Sequence, residues 1–377
     1  MLPTDSDLGW LCEGKTMSDN RDPQITGRRR VVGWLLVLVS FLGVVAASLA
    51  PARYVIHSPG AVINVFGSLD DKPIISIKGA KTYKTTGELD VLTVYVRGEP
   101  GNLPTWAEVI AAYFNSDQVL MPYDEVYAPN ENKTQHDSQV SKMMLDSQRD
   151  AIAVALKKSG YVFKSWLAVD VVATGRPADG VIKPDDIIES VNSIEAKSLE
   201  AVVGQIENSG GKPVEFQIIR NGKPKTISVT PVIDPQVGAY RVGMQLGFRY
   251  DFPIDVNVDL GDVTGPSAGL TFTLGIIDTL DAGSLTSGNK VASTGTIGAD
   301  GSVGAIGGVQ LKMKAALDSG AKFMLAPLGN CNEIVGHVPA GLQVVAVKNI
   351  DEALAALEQL RVQNKPPTST KLGCPIR

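Results

Sequence analysis

Histidine is scarce in this chain of 377 residues: there are three, His57, His136 and His337. None lies in a glycine-flanked strand-to-helix turn, so a serine nucleophile in such a turn would have to find another base. Cysteine is as scarce. Cys12, Cys331 and Cys374 are too few for a disulfide-built scaffold, and no metal site is expected. If Cys331 and Cys374 face an oxidising compartment, a disulfide between them and two free thiols are both open. A basic excess is missing too. Net charge is −5, which leaves no electrostatic footprint for nucleic acid. No Gly-x-x-x-x-Gly-Lys-Ser/Thr phosphate loop is read in the chain, and so no cofactor and no ATP hydrolysis are expected.

Charge is also missing from one long stretch. Val31 to Ala50 contains no ionisable residue and is rich in Val and Leu. At about 1.5 Å per residue such a helix spans a bilayer. It is longer than the usual core of a cleaved signal peptide, although Ala47-Ser-Leu-Ala50 has the small residues of a cleavage site. An uncleaved single-pass anchor is expected. Arg28-Arg-Arg30 precedes the run and only Arg53 follows it closely, which puts the N-terminus in the cytoplasm and the bulk of the chain outside. Residues 1–30 form a polar, non-periodic tail, within which Met1 and Met17 are alternative starts.

Beyond the anchor, strands are expected at Tyr54–Phe66, Pro73–Lys78 and Leu89–Val96, and helices at Thr105–Phe114 and Ser141–Ser159. Asn115 to Gln139, polar with few apolar anchors, reads as a long loop.

The chemistry points to Gly265-Pro-Ser-Ala-Gly269. It follows an alternating strand, Ile254–Leu260, and precedes an apolar helix, Leu270–Leu280. Ser267 therefore sits at a strand-to-helix turn. Glycines there let a ligand approach the backbone, and a helix start offers free N–H groups to developing negative charge. Gly265, Pro266, Ala268 and Gly269 are the backbone of that turn. Further on come Ser293-Thr-Gly-Thr-Ile297 and Gly301-Ser-Val-Gly-Ala-Ile-Gly-Gly-Val-Gln-Leu-Lys-Met-Lys314. Together these motifs resemble the Lon-type serine peptidase domain. The resemblance implies a Ser–Lys dyad, with Ser267 as nucleophile and Lys312, four residues after Gly308, as base. Thr294-Gly295 matches the family's intervening motif, so Thr294 is a supporting residue. Ala321-Lys-Phe-Met-Leu-Ala-Pro327 is similar to the strand that closes the domain. One position departs: Thr264 stands where the family often has an acid. On a helix, Lys312 shares a face with Val309 and Ala316, whereas Lys314 faces Asp318. Lys312 is then the lysine that burial can hold neutral.

Residues 160–233 look like a separate unit. A strand Ser165–Val172, then Arg176-Pro-Ala and Lys183-Pro-Asp-Asp-Ile-Ile188, a helix Ser198–Glu207 and a hairpin around Asn221-Gly222 follow in order. This resembles a PDZ domain, with Asp185 where that family usually has Gly. The resemblance implies an edge that takes a peptide end as an added strand, expected at Leu167, Ala168 and Val169. A structural β-domain without ligand is the other reading.

The segment after this unit, 237–362, is short for a whole Lon-type domain. Thr86–Val94 and the helix Met144–Leu156 look like the strand and helix that precede the serine segment in that family. The expected architecture is thus a multidomain α+β chain: a tail (1–30), a transmembrane anchor (31–50), a first part of the Lon-like domain (51–159), an inserted PDZ-like domain (160–233), the catalytic part (237–362) and a C-terminal tail (363–377). The expected function is a membrane-anchored, ATP-independent endopeptidase acting on extracytoplasmic polypeptide, assembled as a ring if the resemblance holds. The alternative is a catalytically silent, membrane-tethered PDZ adaptor on the same scaffold.

Overall fold

The computed structural model of the chain describes residues 23–129, 131–363 and 374. The tails 1–22 and 364–373, Asn130 and the last three residues lie outside that description, and with them Cys12 and both alternative starts.

A helix, Pro23–Leu49, opens the described chain. Its segment Arg29–Leu49 has mean hydropathy 2.4 and none of it is buried. It is long and apolar enough to cross a membrane or to serve as a signal sequence.

The main sheet has six strands in the order Gln343–Val347, Phe323–Pro327, Lys290–Ser293, Glu88–Arg97, Tyr54–Asn64 and Val119–Pro122. The first four run parallel, and the last two are added antiparallel. Its strands therefore come from both sides of the residues that build the second sheet. Side chains alternate across a strand, and here each face receives one of the two helices that carry Ser267 and Lys312. Val91, Val291 and Leu325 pack with Leu270, Phe272 and Leu274 of the helix Gly269–Leu280. Leu92, Ala292, Met324 and Ala326 pack with Val309, Met313 and Ala316 of the helix Val309–Asp318. The serine helix and the lysine helix thus lie on opposite faces of the sheet. They meet beyond the carboxyl end of Lys290–Ser293, the place where open parallel sheets present their ligands.

The second sheet runs Lys223–Val229, Val214–Arg220, Ile187–Val191, Lys164–Val172, Met244–Asp251. Asn221 and Gly222 both take positive φ (51° and 73°), the two-residue turn that matches strand twist. Asp185, in the place of a family glycine, also has positive φ (65°), a conformation Asp tolerates better than most residues. Buried Asp186 holds Arg220 through two bonds of 2.6 and 2.5 Å. The first and last strands of this unit are neighbours, with Lys164 opposite Asp251, so its two chain ends lie side by side.

Two features differ from expectation, and one left open is decided. The segment read as a loop over Asn115–Gln139 contains the strand Val119–Pro122 and a short helix, Tyr123–Val126. The helix that follows starts at Lys133, eight residues before Ser141, because Asn132 and Gln135 form a reciprocal capping box. Cys331 and Cys374 are joined as a disulfide.

Candidate active site

Ser267 lies in the 3-10 turn Pro266–Ala268, which leads directly into the helix Gly269–Leu280. Gly265 enters this turn with φ 97°, and Pro266 occupies the first helical position, where its missing N–H costs nothing. The first N–H groups of a helix have no partner within it. Gly269 gives its own to the Pro266 carbonyl, and Pro266 has none to give. The Ala268 N–H closes the 3-10 turn toward Gly265, and the Ser267 N–H is left without a partner among the described residues. Gly269 is required sterically: a Cβ there would lie 2.6 Å from Ser147 Oγ and 3.0 Å from the Ile297 backbone nitrogen.

Lys312 reaches this turn from the opposite face of the sheet. Gly308, with φ 69°, caps its helix in the left-handed region, and the helix begins at Val309. One turn further, Lys312 Nζ lies 2.7 Å from Ser267 Oγ and 3.1 Å from Thr294 Oγ1. The Thr294 hydroxyl donates to the Ser267 carbonyl at 3.1 Å, so its oxygen is left to accept from Lys312. That fixes one N–H of the amine on Thr294 and holds the nitrogen against Ser267 Oγ. The backbone beside it is pinned as well: Gly295 N–H donates to Ser267 O, and Leu270 N–H to Gly295 O. Lys312 is 3% exposed, and Thr294 is fully buried. Burial away from any carboxylate brings the lysine down to about 8. Lys314, two residues on, pairs with Asp318 at 2.9 Å and Asp117 at 3.6 Å, and these partners hold it above its ordinary value.

Ser267 and Lys312 open into a cleft of about 610 Å³. One wall is the strand segment Thr93–Val96. Lys290–Ser293 pairs with this strand only over Glu88–Val91, so beyond Val91 the strand has a free edge among the described residues. Asp262 and Thr264 line another wall. Two of the histidines line the cleft as well. Burial lowers His57, whose Nε2 has no partner among the described residues, and His136 is held by Glu131 at 2.9 Å. Neither makes a hydrogen bond to Ser267 or Lys312. Sequence reasoning missed Ser147, whose Oγ donates to the Pro266 carbonyl at 2.9 Å from the helix Lys133–Lys158. No local signal marks it, since the pair is 119 residues apart.

In the second unit, Leu167, Ala168 and Val169 are not an edge. They are buried and face Phe248, Gly247 and Leu246 on one side, while Leu167 and Ala168 meet Ile188 and Ile187 on the other. The edge strand is Met244–Asp251, which comes last in this unit and takes the place the sequence suggested for them. A groove of about 490 Å³ runs between Met244–Leu246 and the helix Leu199–Asn208, walled by Leu199, Val202 and Ile206.

A further correction concerns nucleotides. Gly9-Trp-Leu-Cys-Glu-Gly-Lys-Thr16 does have the spacing of a phosphate loop. The spacing is meaningful only between a strand and a helix, and Met1–Leu8, with Pro3 and no β-branched apolar residue, has no strand pattern in its sequence. These residues lie outside the described part.

Residues 239–359 match the Lon protease (S16) C-terminal proteolytic domain, and residues 148–230 match the PDZ domain. Lon protease 2 of Bacillus subtilis is 37% identical over 122 residues, which are 32% of this chain and 21% of that protein. Lon protease of Buchnera aphidicola is 33% identical over 133 residues, 34% of this chain and 16% of that protein. The chain thus spans about a fifth of the curated relatives it matches. The PDZ domain of an SdrC-like protein from Listeria innocua is similar in structure at 22% identity and a TM-score of 0.20, covering 22% of this chain and 92% of that one.

Proposed function

We propose that this chain, which carries a Lon-type serine peptidase domain together with a PDZ domain, is a membrane-anchored endopeptidase. It cuts polypeptide outside the cytoplasm with Ser267 and Lys312 and without ATP. The observation that carries this reading is the 2.7 Å approach of a buried lysine, lowered to about 8, to a serine at a helix start.

The chemistry follows from that pair. Neutral Lys312 accepts the Ser267 hydroxyl proton as Oγ attacks the peptide carbonyl carbon. The carbonyl oxygen takes the negative charge, facing the N–H of Ser267 at the helix start. As the tetrahedral intermediate collapses, the C–N bond breaks and Lys312 returns the proton to the leaving amine. Water, deprotonated by the same amine, then adds to the Ser267 ester, and its hydrolysis frees the acid and the serine. The substrate chain lies along the free edge of Thr93–Val96, where main-chain bonds align it without demanding particular side chains.

The groove beside Met244–Leu246 receives a polypeptide end as an added strand, with apolar side chains against Val202 and Ile206. The adjacent ends of this unit, at Lys164 and Asp251, suit its insertion into the protease unit. The helix from Arg29 is the anchor, with Arg28–Arg30 on the cytoplasmic side. Ring assembly belongs to this reading through the Lon resemblance, and sedimentation of residues 51–377 tests it.

A fluorophosphonate probe on residues 51–377 tests the dyad. Labelling of Ser267, mapped by peptide mass and lost in Ser267→Ala, is expected. Equal labelling of Ser267→Ala would mean a different nucleophile, and no labelling of the wild type leaves the silent adaptor in its place.

A further inference from the structure

We propose that the helix Trp106–Tyr113 lies in the membrane interface at the foot of the anchor and seats the protease unit on the lipid surface. This rests on the reading of Arg29–Leu49 as a membrane span.

The helix is turned inside out for a helix in water. Val109 and Ala112 pack inward and are buried. Trp106, Ile110, Tyr113 and the following Phe114 fall on the opposite side and are 43%, 53%, 76% and 82% exposed. Their spacing of four, three and one residues confines them to one face. Ala107 and Ala111 are exposed beside them. A surface helix in water turns charged and polar groups outward, and this one turns out none beyond the Tyr113 hydroxyl. Its single charge, Glu108, caps its own N-terminus through Thr105 and pairs with Arg97.

The lipid interface is the occupant because of where the helix is tied. Trp106 N–H donates to Ala50 O at 3.1 Å, and Ala52 N–H to Pro104 O at 2.8 Å. Pro51 and Thr105 form a bridge between the two segments. The last residue of the span, Leu49, is thus one residue from a carbonyl that anchors this helix. Tyr54 stands edge-on to Trp106 with ring centroids 5.9 Å apart. Trp and Tyr concentrate at this depth, and an amphipathic helix lying there buries its apolar face by about 5–10 Å. Arg97 ends the strand that lines the catalytic cleft and grips Glu108, so the same seating holds the cleft close to the lipid.

The test uses the full chain with Cys12→Ser, kept oxidised, in vesicles of phosphatidylcholine and phosphatidylglycerol. Nitroxide labels are placed singly at Phe114→Cys, at Leu42→Cys in the span and at Lys225→Cys on the exposed hairpin. Collision with oxygen reports lipid, and collision with a water-soluble nickel chelate reports solvent. The Phe114 label is expected to shift toward the oxygen-rich value of Leu42 and away from the nickel-rich value of Lys225. A Phe114 label that matches Lys225 overturns the proposal. The Leu42 label then tells whether the span fails with it: lipid-like keeps the anchor, and water-like removes both. A Phe114 label shielded from both reagents and broadened by a second spin also overturns it, and assigns the face to another copy of the chain.

Discussion

The Ser147 hydroxyl donates to the Pro266 carbonyl across 2.9 Å, and so holds the residue before the nucleophile from a different helix. Ser147 is buried, and Gly269 leaves it room where any side chain would collide. The same helix carries Asp150, which accepts from Tyr250 at 2.7 Å, and Lys142, which pairs with Asp170 at 3.0 Å. One element therefore touches the serine turn and two strands of the PDZ-like sheet, including its edge strand. Ser147→Ala leaves a carbonyl without this partner, at a cost of about 1–2 kcal/mol. We expect kcat to fall about tenfold with little change in KM, measured on a peptide substrate. A KM effect alone would mean that Ser147 shapes the cleft and not the nucleophile turn.

Ser267→Ala and Lys312→Ala should each remove peptide hydrolysis, and the double variant should be no worse than either, because the two act as one unit. Lys314→Ala should keep most activity, since its partners are Asp117 and Asp318 at the surface. The wild-type rate should rise with pH as Lys312 loses its proton, with an apparent pKa of about 8. Thr294→Val removes an acceptor that favours the charged amine, so the profile should move to lower pH while its plateau falls. A pH profile unmoved by Thr294→Val would separate Thr294 from the base.

Lys312 should also weaken the fold. Its value falls from 10.5 in water to about 8 in place, a cost on the order of 3 kcal/mol when the lysine is charged. Below pH 8 it is protonated in both folded and unfolded chains, and the full penalty applies. Between 8 and about 10.4 only the unfolded chain holds the proton, so stability rises with pH. Lys312→Met should therefore raise the unfolding midpoint in urea at pH 7, and the gain should shrink toward pH 10. A gain independent of pH would assign the effect to packing.

The proximity of Ser267, Thr294 and Lys312 is legible in the sequence because each lies within a short motif next to one element. Local spacing places Gly308 before the lysine helix, and the apolar positions Val309 and Ala316 put Lys312 on the buried side. The start at Lys133 was legible too, in Asn132 and Gln135, but the polar residues around them resemble a loop. Strand neighbours are another matter. Alternation tells which side chains of Ser165–Val172 point inward, and says nothing of which strand lies beside it. The partner is Met244–Asp251, contributed from beyond the residues that read as the unit. Ser147 and Pro266 are equally remote in the chain.

That remote pairing gives the sharpest test of the peptide groove. Leu167 to Val169 already sit between two strands, so their amides are protected with or without ligand. Met244–Leu246 lines the groove on the outer edge of the sheet, with Val202 and Ile206 across from it. A peptide with a free, apolar C-terminus should slow hydrogen exchange at Met244–Leu246 in residues 51–377 and leave Leu167–Val169 unchanged. Val202→Lys should abolish the effect by putting a charge into the apolar wall. Because Val202 is buried, Val203→Lys is the second variant: Val203 is half-buried and lines the same groove, so a charge there enters the wall without emptying the core. Exchange that slows around the free edge of Thr93–Val96 instead would place the first peptide contact in the catalytic cleft, and would make the groove a structural surface.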